Sequence, residues 1–92
     1  MSLVPGRSFT FNGVICQEYL CEVVGDELPL HSHTFNHLTL CLEGVIECFT
    51  SDGKSLTVTP TDPPAEYVAG RKHGIRGLSD GARFLNISPV PQ

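Results

Sequence analysis

Charge is what this chain has least of. Asp, Glu, Lys and Arg make up 17% of its 92 residues, against roughly 25% in an ordinary soluble domain. Hydrophobic residues reach 40% and mean hydropathy is +0.02, so some surface that would normally be charged is not. A self-associating face is the simplest account, and a homodimer is expected. Long apolar runs are also absent: the longest lies between Leu38 and Leu42, far short of the roughly 18 residues that suggest a membrane span. The opening Met-Ser-Leu-Val-Pro-Gly has no basic segment followed by an apolar one, so no signal peptide is expected and the cytoplasm is the expected compartment. A net charge of −4 and a pI near 5.4 argue against nucleic acid and anionic membranes as partners. CxxC spacing is missing as well. Cys16, Cys21, Cys41 and Cys48 are read as reduced thiols acting as small buried hydrophobes rather than as disulfides.

Helical periodicity is the next absence. No window of eleven or more residues carries apolar positions at i, i+3, i+4 and i+7 without a glycine, a proline or a β-branched run breaking it. What is there instead is a series of short β-rich runs: 8–11, 14–24, 37–42, 45–50, 55–59, 65–68, 73–78 and 82–88. Their spacing approaches the 8 to 12 residues of an all-β sandwich or barrel. Asp52-Gly53 and Asp80-Gly81 are hairpin dipeptides, with Asn12-Gly13 and Glu43-Gly44 at similar breaks, which predicts antiparallel hairpins in series. Pro60, Pro63 and Pro64 lack a ladder donor and mark an edge or crossover segment. The length allows one domain, residues 1–92, with a core from about 8 to 88 and a frayed tail at 89–92.

The four histidines are His31, His33, His37 and His73, three of them within seven residues. On a strand, His31 and His33 would project from one face about 7 Å apart at the backbone, near enough to converge on one ion. A surface pair would have the same spacing. The surroundings add information: the stretch reads Gly25-(x5)-His31-x-His33-(x3)-His37-(x6)-Gly44. This resembles the first cupin motif, with His37 standing where that family usually has glutamate. The second cupin motif is matched in its middle by Gly70-Arg71-Lys72-His73, whereas Asp62, Val68 and Gly77 stand where a glycine, a proline and an asparagine are usual.

The resemblance implies a small antiparallel double-stranded β-helix, the jelly-roll cupin barrel, of the single-domain kind that commonly dimerises through strands at one edge. It implies His31, His33, His37 and His73 as ligands of one divalent first-row transition-metal ion per chain, drawn from Fe, Ni, Mn, Co and Zn. Four neutral imidazoles leave such an ion its full +2 charge, where a carboxylate would cancel one unit. Two function classes are then expected. One is a metal-dependent enzyme, dioxygenase-like or an isomerase or cyclase, acting on a small oxygenated or chelating molecule. The other is a non-catalytic module binding a small ligand or metal, as a sensor or storage protein.

Other residues are weaker candidates. Residues 67–92 carry Arg71, Lys72, Arg76 and Arg83 against Asp80 alone, so an anion would be expected there, and Arg71, Lys72 and Arg76 flank His73 as possible holders of a carboxylate or phosphate. Tyr19, Phe35 and Phe49 are expected to pack in the core, Glu47 and Glu66 to be solvated, and Glu43 to lie too far along its strand to reach an ion. Thr39 and Cys41 share the face of His37, and Asn86 comes from a strand able to line a barrel.

Overall fold

The computed structural model describes residues 3–90, and among these there is no helix. Nine strands form two antiparallel sheets. Strands β1 (Val4–Phe11), β2 (Val14–Cys21), β9 (Ala82–Pro89), β4 (His37–Glu43) and β7 (Ala65–Tyr67) lie side by side in that order. The facing sheet is ordered β3 (Glu27–His31), β8 (His73–Gly77), β5 (Ile46–Thr50) and β6 (Ser55–Val58). Apart from β1–β2 and β5–β6, successive strands pass from one sheet to the other, which is the jelly-roll arrangement of a double-stranded β-helix.

The expected series of hairpins is corrected by this topology. Among the described residues only β1–β2 and β5–β6 are consecutive in the chain and paired in a sheet. Asn12 and Gly13, at φ 47° and 79°, give the β1–β2 turn the two positive angles of a type I′ hairpin. Asp80-Gly81 and Glu43-Gly44 instead carry the chain from one sheet to the other. Gly44 has φ 70° and no room for a side chain, since a Cβ there would overlap Ser79 Oγ and come within 3.1 Å of Ala82 Cα. The proline segment behaves as expected, joining β6 at the edge of one sheet to β7 at the edge of the other.

Strand β3 has no counterpart among the runs expected from the sequence. Pro29 interrupts its pattern, yet β3 is an edge strand, where a missing N–H is tolerated, and its register shifts between Leu28 and His31. Strand β1 starts at Val4 rather than at residue 8, and Leu3 is already buried in the core. Pro89 closes β9 and the Val90 N–H donates to Gly13 O at 2.9 Å; Pro91 and Gln92, the rest of the expected frayed tail, lie outside the described residues. Between the sheets, Phe84, Ile46, Ile75, Val58 and Cys21 are almost fully buried. All four cysteines are buried and unpaired.

Candidate metal centre

The histidines reach one place from four positions in the fold. His31 ends β3 and His73 opens β8, where the two are partners across the ladder. His37 opens β4, and His33 lies in the connection between β3 and β4 rather than on a strand beside His31. The one-face presentation of His31 and His33 is therefore corrected: the chain turns after His31 and brings the His33 ring in edge-on, at a centroid distance of 4.8 Å.

Ligating nitrogens of His31, His33 and His73 all lie within 4.8 Å of one another. The His37 ring stands next to this trio, 4.7 Å from the His73 centroid and 5.0 Å from that of His33. Two of the rings are oriented by backbone carbonyls: His31 Nδ1–H donates to Pro29 O at 2.7 Å, and His73 Nδ1–H to Arg71 O at 2.9 Å. This assignment leaves each Nε2 as the lone-pair nitrogen, which is how proteins commonly set the tautomer of a metal-binding histidine.

Electrostatics keep the cluster in its ligating form. Burial pushes the His37 imidazole down to about 4, with the neighbouring His73, His33 and His31 adding to the effect. Burial also lowers His33, aided by His31. In His73 the lowering by burial outweighs the Arg71 carbonyl. These rings are neutral at pH 7. Their nitrogens are also left wanting: Nδ1 and Nε2 of His37 and Nε2 of His73 are buried with no hydrogen-bond partner. A buried polar atom without a partner costs about 1–3 kcal/mol, and a cation shared by the rings would satisfy one lone pair on each of His37 and His73, the other His37 nitrogen being its N–H. The donor set therefore fits a borderline transition-metal ion.

Tyr67 backs the cluster. Its ring stacks on His73 at 4.0 Å and 22° and lies 4.9 Å from that of His37, its register partner on β4. Burial pushes its phenol far up, so it remains neutral. Sequence reasoning missed this residue, because only strand register brings it to His37.

In front of the histidines is a cavity of about 460 Å³. Tyr19, Leu28, Pro29 and Phe35 supply its apolar wall, and Phe35 stacks on His33 at 4.9 Å. The expectation of core packing is thus corrected for Phe35, while Tyr19 both stacks on Phe84 at 5.3 Å and faces the cavity. Phe49 is on the other side of its sheet, beneath the Arg76 guanidinium. Gln17, Asn86 and Ser88 provide the polar lining.

Of the basic residues near His73, Lys72 is exposed, while the two arginines are already committed elsewhere. Arg71 pairs with Asp52, and Arg76 pairs with Glu47 at 2.7 Å and Glu27 at 3.1 Å. Glu47 is therefore ion-paired rather than simply solvated, whereas Glu66 is exposed. Burial raises the Cys41 thiol, which donates to the Glu43 carbonyl, and Cys41 is not among the residues that cluster with His31, His33 and His73.

No family model matches the sequence and no curated protein is detectably similar. Solved structures, however, match it over nearly its whole length. A cupin-superfamily protein from Desulfitobacterium hafniense superposes with a TM-score of 0.78 at 18% identity, covering 98% of this chain and 79% of that one. A cupin domain from Bordetella pertussis gives 0.71 at 20%, covering 98% and 95%. An RmlC-like cupin from Desulfovibrio desulfuricans gives 0.75 at 21%, covering 96% and 83%. The chain has the cupin fold. Within that fold His31, His33 and His73 cluster as a candidate metal site.

Proposed function

We propose that His31, His33, His37 and His73 hold one divalent first-row transition-metal ion, and that the protein is a metal-dependent enzyme, dioxygenase-like, acting on a small oxygenated molecule that chelates the ion. The observation that carries this reading is the set of buried, partnerless ring nitrogens on His37 and His73 beside His31 and His33. When bound, the ion supplies Lewis acidity at its open coordination positions. The chain's own residues orient the rings through Pro29 O and Arg71 O and line the cavity beside them with the apolar Phe35 and Leu28. The test is oxygen uptake or product formation by iron-, manganese- and nickel-loaded protein with small diketones, phenols and hydroxy acids. Turnover supports the enzyme; inertness with every metal and substrate rejects it.

One observation favours a non-catalytic binding module. Among the described residues, none of those lining the cavity is Asp, Glu, Lys or Arg, so once the histidines are given to the ion only the Tyr19 phenol is left as an acid–base group. A ligand retained through purification and unchanged after days with metal would select this second reading.

The proposal extends to a homodimer. Strand β1 is an unpaired sheet edge whose residues are all exposed. Phe9, half exposed, continues in register with Cys16, Ile87 and Leu38 as an apolar row on the sheet face opposite the cavity. Sedimentation should show a dimer that Phe9→Asp weakens; a monomer mass at all concentrations overturns it. Among the described residues no helix is long and apolar enough to cross a membrane, and four unpaired cysteines suit the reducing cytoplasm that we propose as its location.

A further inference from the structure

The inner face of the five-stranded sheet carries a polar row that the histidine site does not use. Thr39, two residues after His37 on β4, is the register partner of Asn86 on β9, which is in turn the partner of Gln17 on β2. Thr39 is fully buried, and its hydroxyl donates to Asn86 Oδ1 at 2.7 Å. With its oxygen occupied, the Asn86 amide presents N–H donors to the cavity it lines. The step from His37 to Thr39 places this amide about 7 Å along the strand from the histidines, the distance of a group beyond the ligating atoms of a bound molecule.

Charge narrows the ligand further. A divalent ion held by neutral imidazoles keeps two positive charges, and no Asp, Glu, Lys or Arg is among the residues lining the cavity. That imbalance is relieved by negative charge on the ligating atoms, while the remainder of the ligand has no Asp, Glu, Lys or Arg side chain to meet. That remainder faces Phe35 and Tyr19, flat apolar surfaces suited to a planar group.

We propose, resting on the metal-site reading above, that the cavity selects a planar, bidentate oxygen-donor anion with an uncharged apolar body, and that Asn86, positioned by Thr39, donates a hydrogen bond to it. Such a ligand balances the ion's charge through its chelating oxygens, stacks its body on Phe35 and Tyr19, and offers an acceptor to the Asn86 amide. A cationic or amine-bearing body would find no carboxylate in the lining.

The test uses 4-nitrocatechol, whose absorbance reports chelation, titrated into cobalt-loaded protein. Metal content is first measured by equilibrium dialysis for each variant. If the wild-type protein takes up no cobalt, the metal-site reading fails before this proposal is reached. With cobalt bound, Asn86→Ala should weaken 4-nitrocatechol binding about tenfold, the worth of a good hydrogen bond to a charged group, with cobalt uptake unchanged. Thr39→Val should weaken it severalfold in the wild-type background and have no effect in the Asn86→Ala background, which a merely structural role for Thr39 would not produce. Phe35→Ala should weaken 4-nitrocatechol while leaving oxalate, the same kind of chelate without a ring, unaffected. Unchanged 4-nitrocatechol binding in Asn86→Ala, additive losses in the double variant, or equal losses for both probes in Phe35→Ala would overturn the proposal.

Discussion

Tyr67 and His73 stack with ring centroids 4.0 Å apart, and the same phenol ring lies 4.9 Å from His37. One side chain on an edge strand thus forms the back wall for two histidines that come from different sheets. Truncating it should affect both stability and site geometry. Tyr67→Ala should cost about 3–5 kcal/mol in urea unfolding, as large aromatic-to-alanine changes in cores do, and should reduce metal uptake. Tyr67→Phe keeps the wall and gives up a hydroxyl that reaches Gly74 O at 3.4 Å. It should cost about 1 kcal/mol and leave metal uptake intact.

Stability of the metal-free protein should fall with acidity. His37 is pushed down to about 4 in the folded protein, first by burial and then by its histidine neighbours, while a histidine in the unfolded chain titrates near 6.5. Between those values the unfolded state binds the extra proton, so stability rises with pH in that window and is lost as pH falls through it. The lowered His33 and His73 act with the same sign. Urea midpoints taken at pH 7.5, 6 and 5 should decline progressively, and His37→Phe should flatten the decline. A midpoint independent of pH would contradict the burial of neutral imidazoles.

Gly77 should resist substitution. It stands where the second cupin motif usually has asparagine, and the structure shows what fills that space: a Cβ on Gly77 would overlap Cys21 Sγ and come within 2.6 Å of its Cβ. Gly77→Ala should destabilise by about 1–3 kcal/mol, the usual cost of overpacking. An unaltered denaturation midpoint would show that the β2 end yields more easily than this packing implies.

The local pattern of the chain revealed some of this arrangement and concealed the rest. The glycine–histidine frame from Gly25 to Gly44 was legible because ligand spacing on a strand–loop–strand segment is a local property, and the cupin fold expected from it is the fold found. The hairpin dipeptides misled because Asp80-Gly81 shows only that the chain turns, not which sheet the next strand joins. Strand β3 was hidden by Pro29, which breaks the pattern but is harmless at a sheet edge. Tyr67 was invisible as a partner of His37, since its place depends on register between strands far apart in sequence. Asn86 was noticed as a possible barrel-lining residue, but the hydrogen bond from Thr39 that orients it rests on the β4–β9 register. Arg71 and Arg76 looked available for an anion because Asp52, Glu27 and Glu47 approach them only through folding.

The most direct test of the central claim is metal content by elemental analysis of protein purified without a histidine tag or a nickel column, before and after reconstitution, for the wild type and for His37→Ala. The wild type should hold about one ion per chain, and His37→Ala should bind it on the order of 10–100-fold more weakly, a loss at least as large as removal of a group that only supports a ligand. Wild-type protein that stays well below one ion per chain after reconstitution would contradict the metal site itself, and undiminished binding by His37→Ala would contradict the four-histidine ligand set.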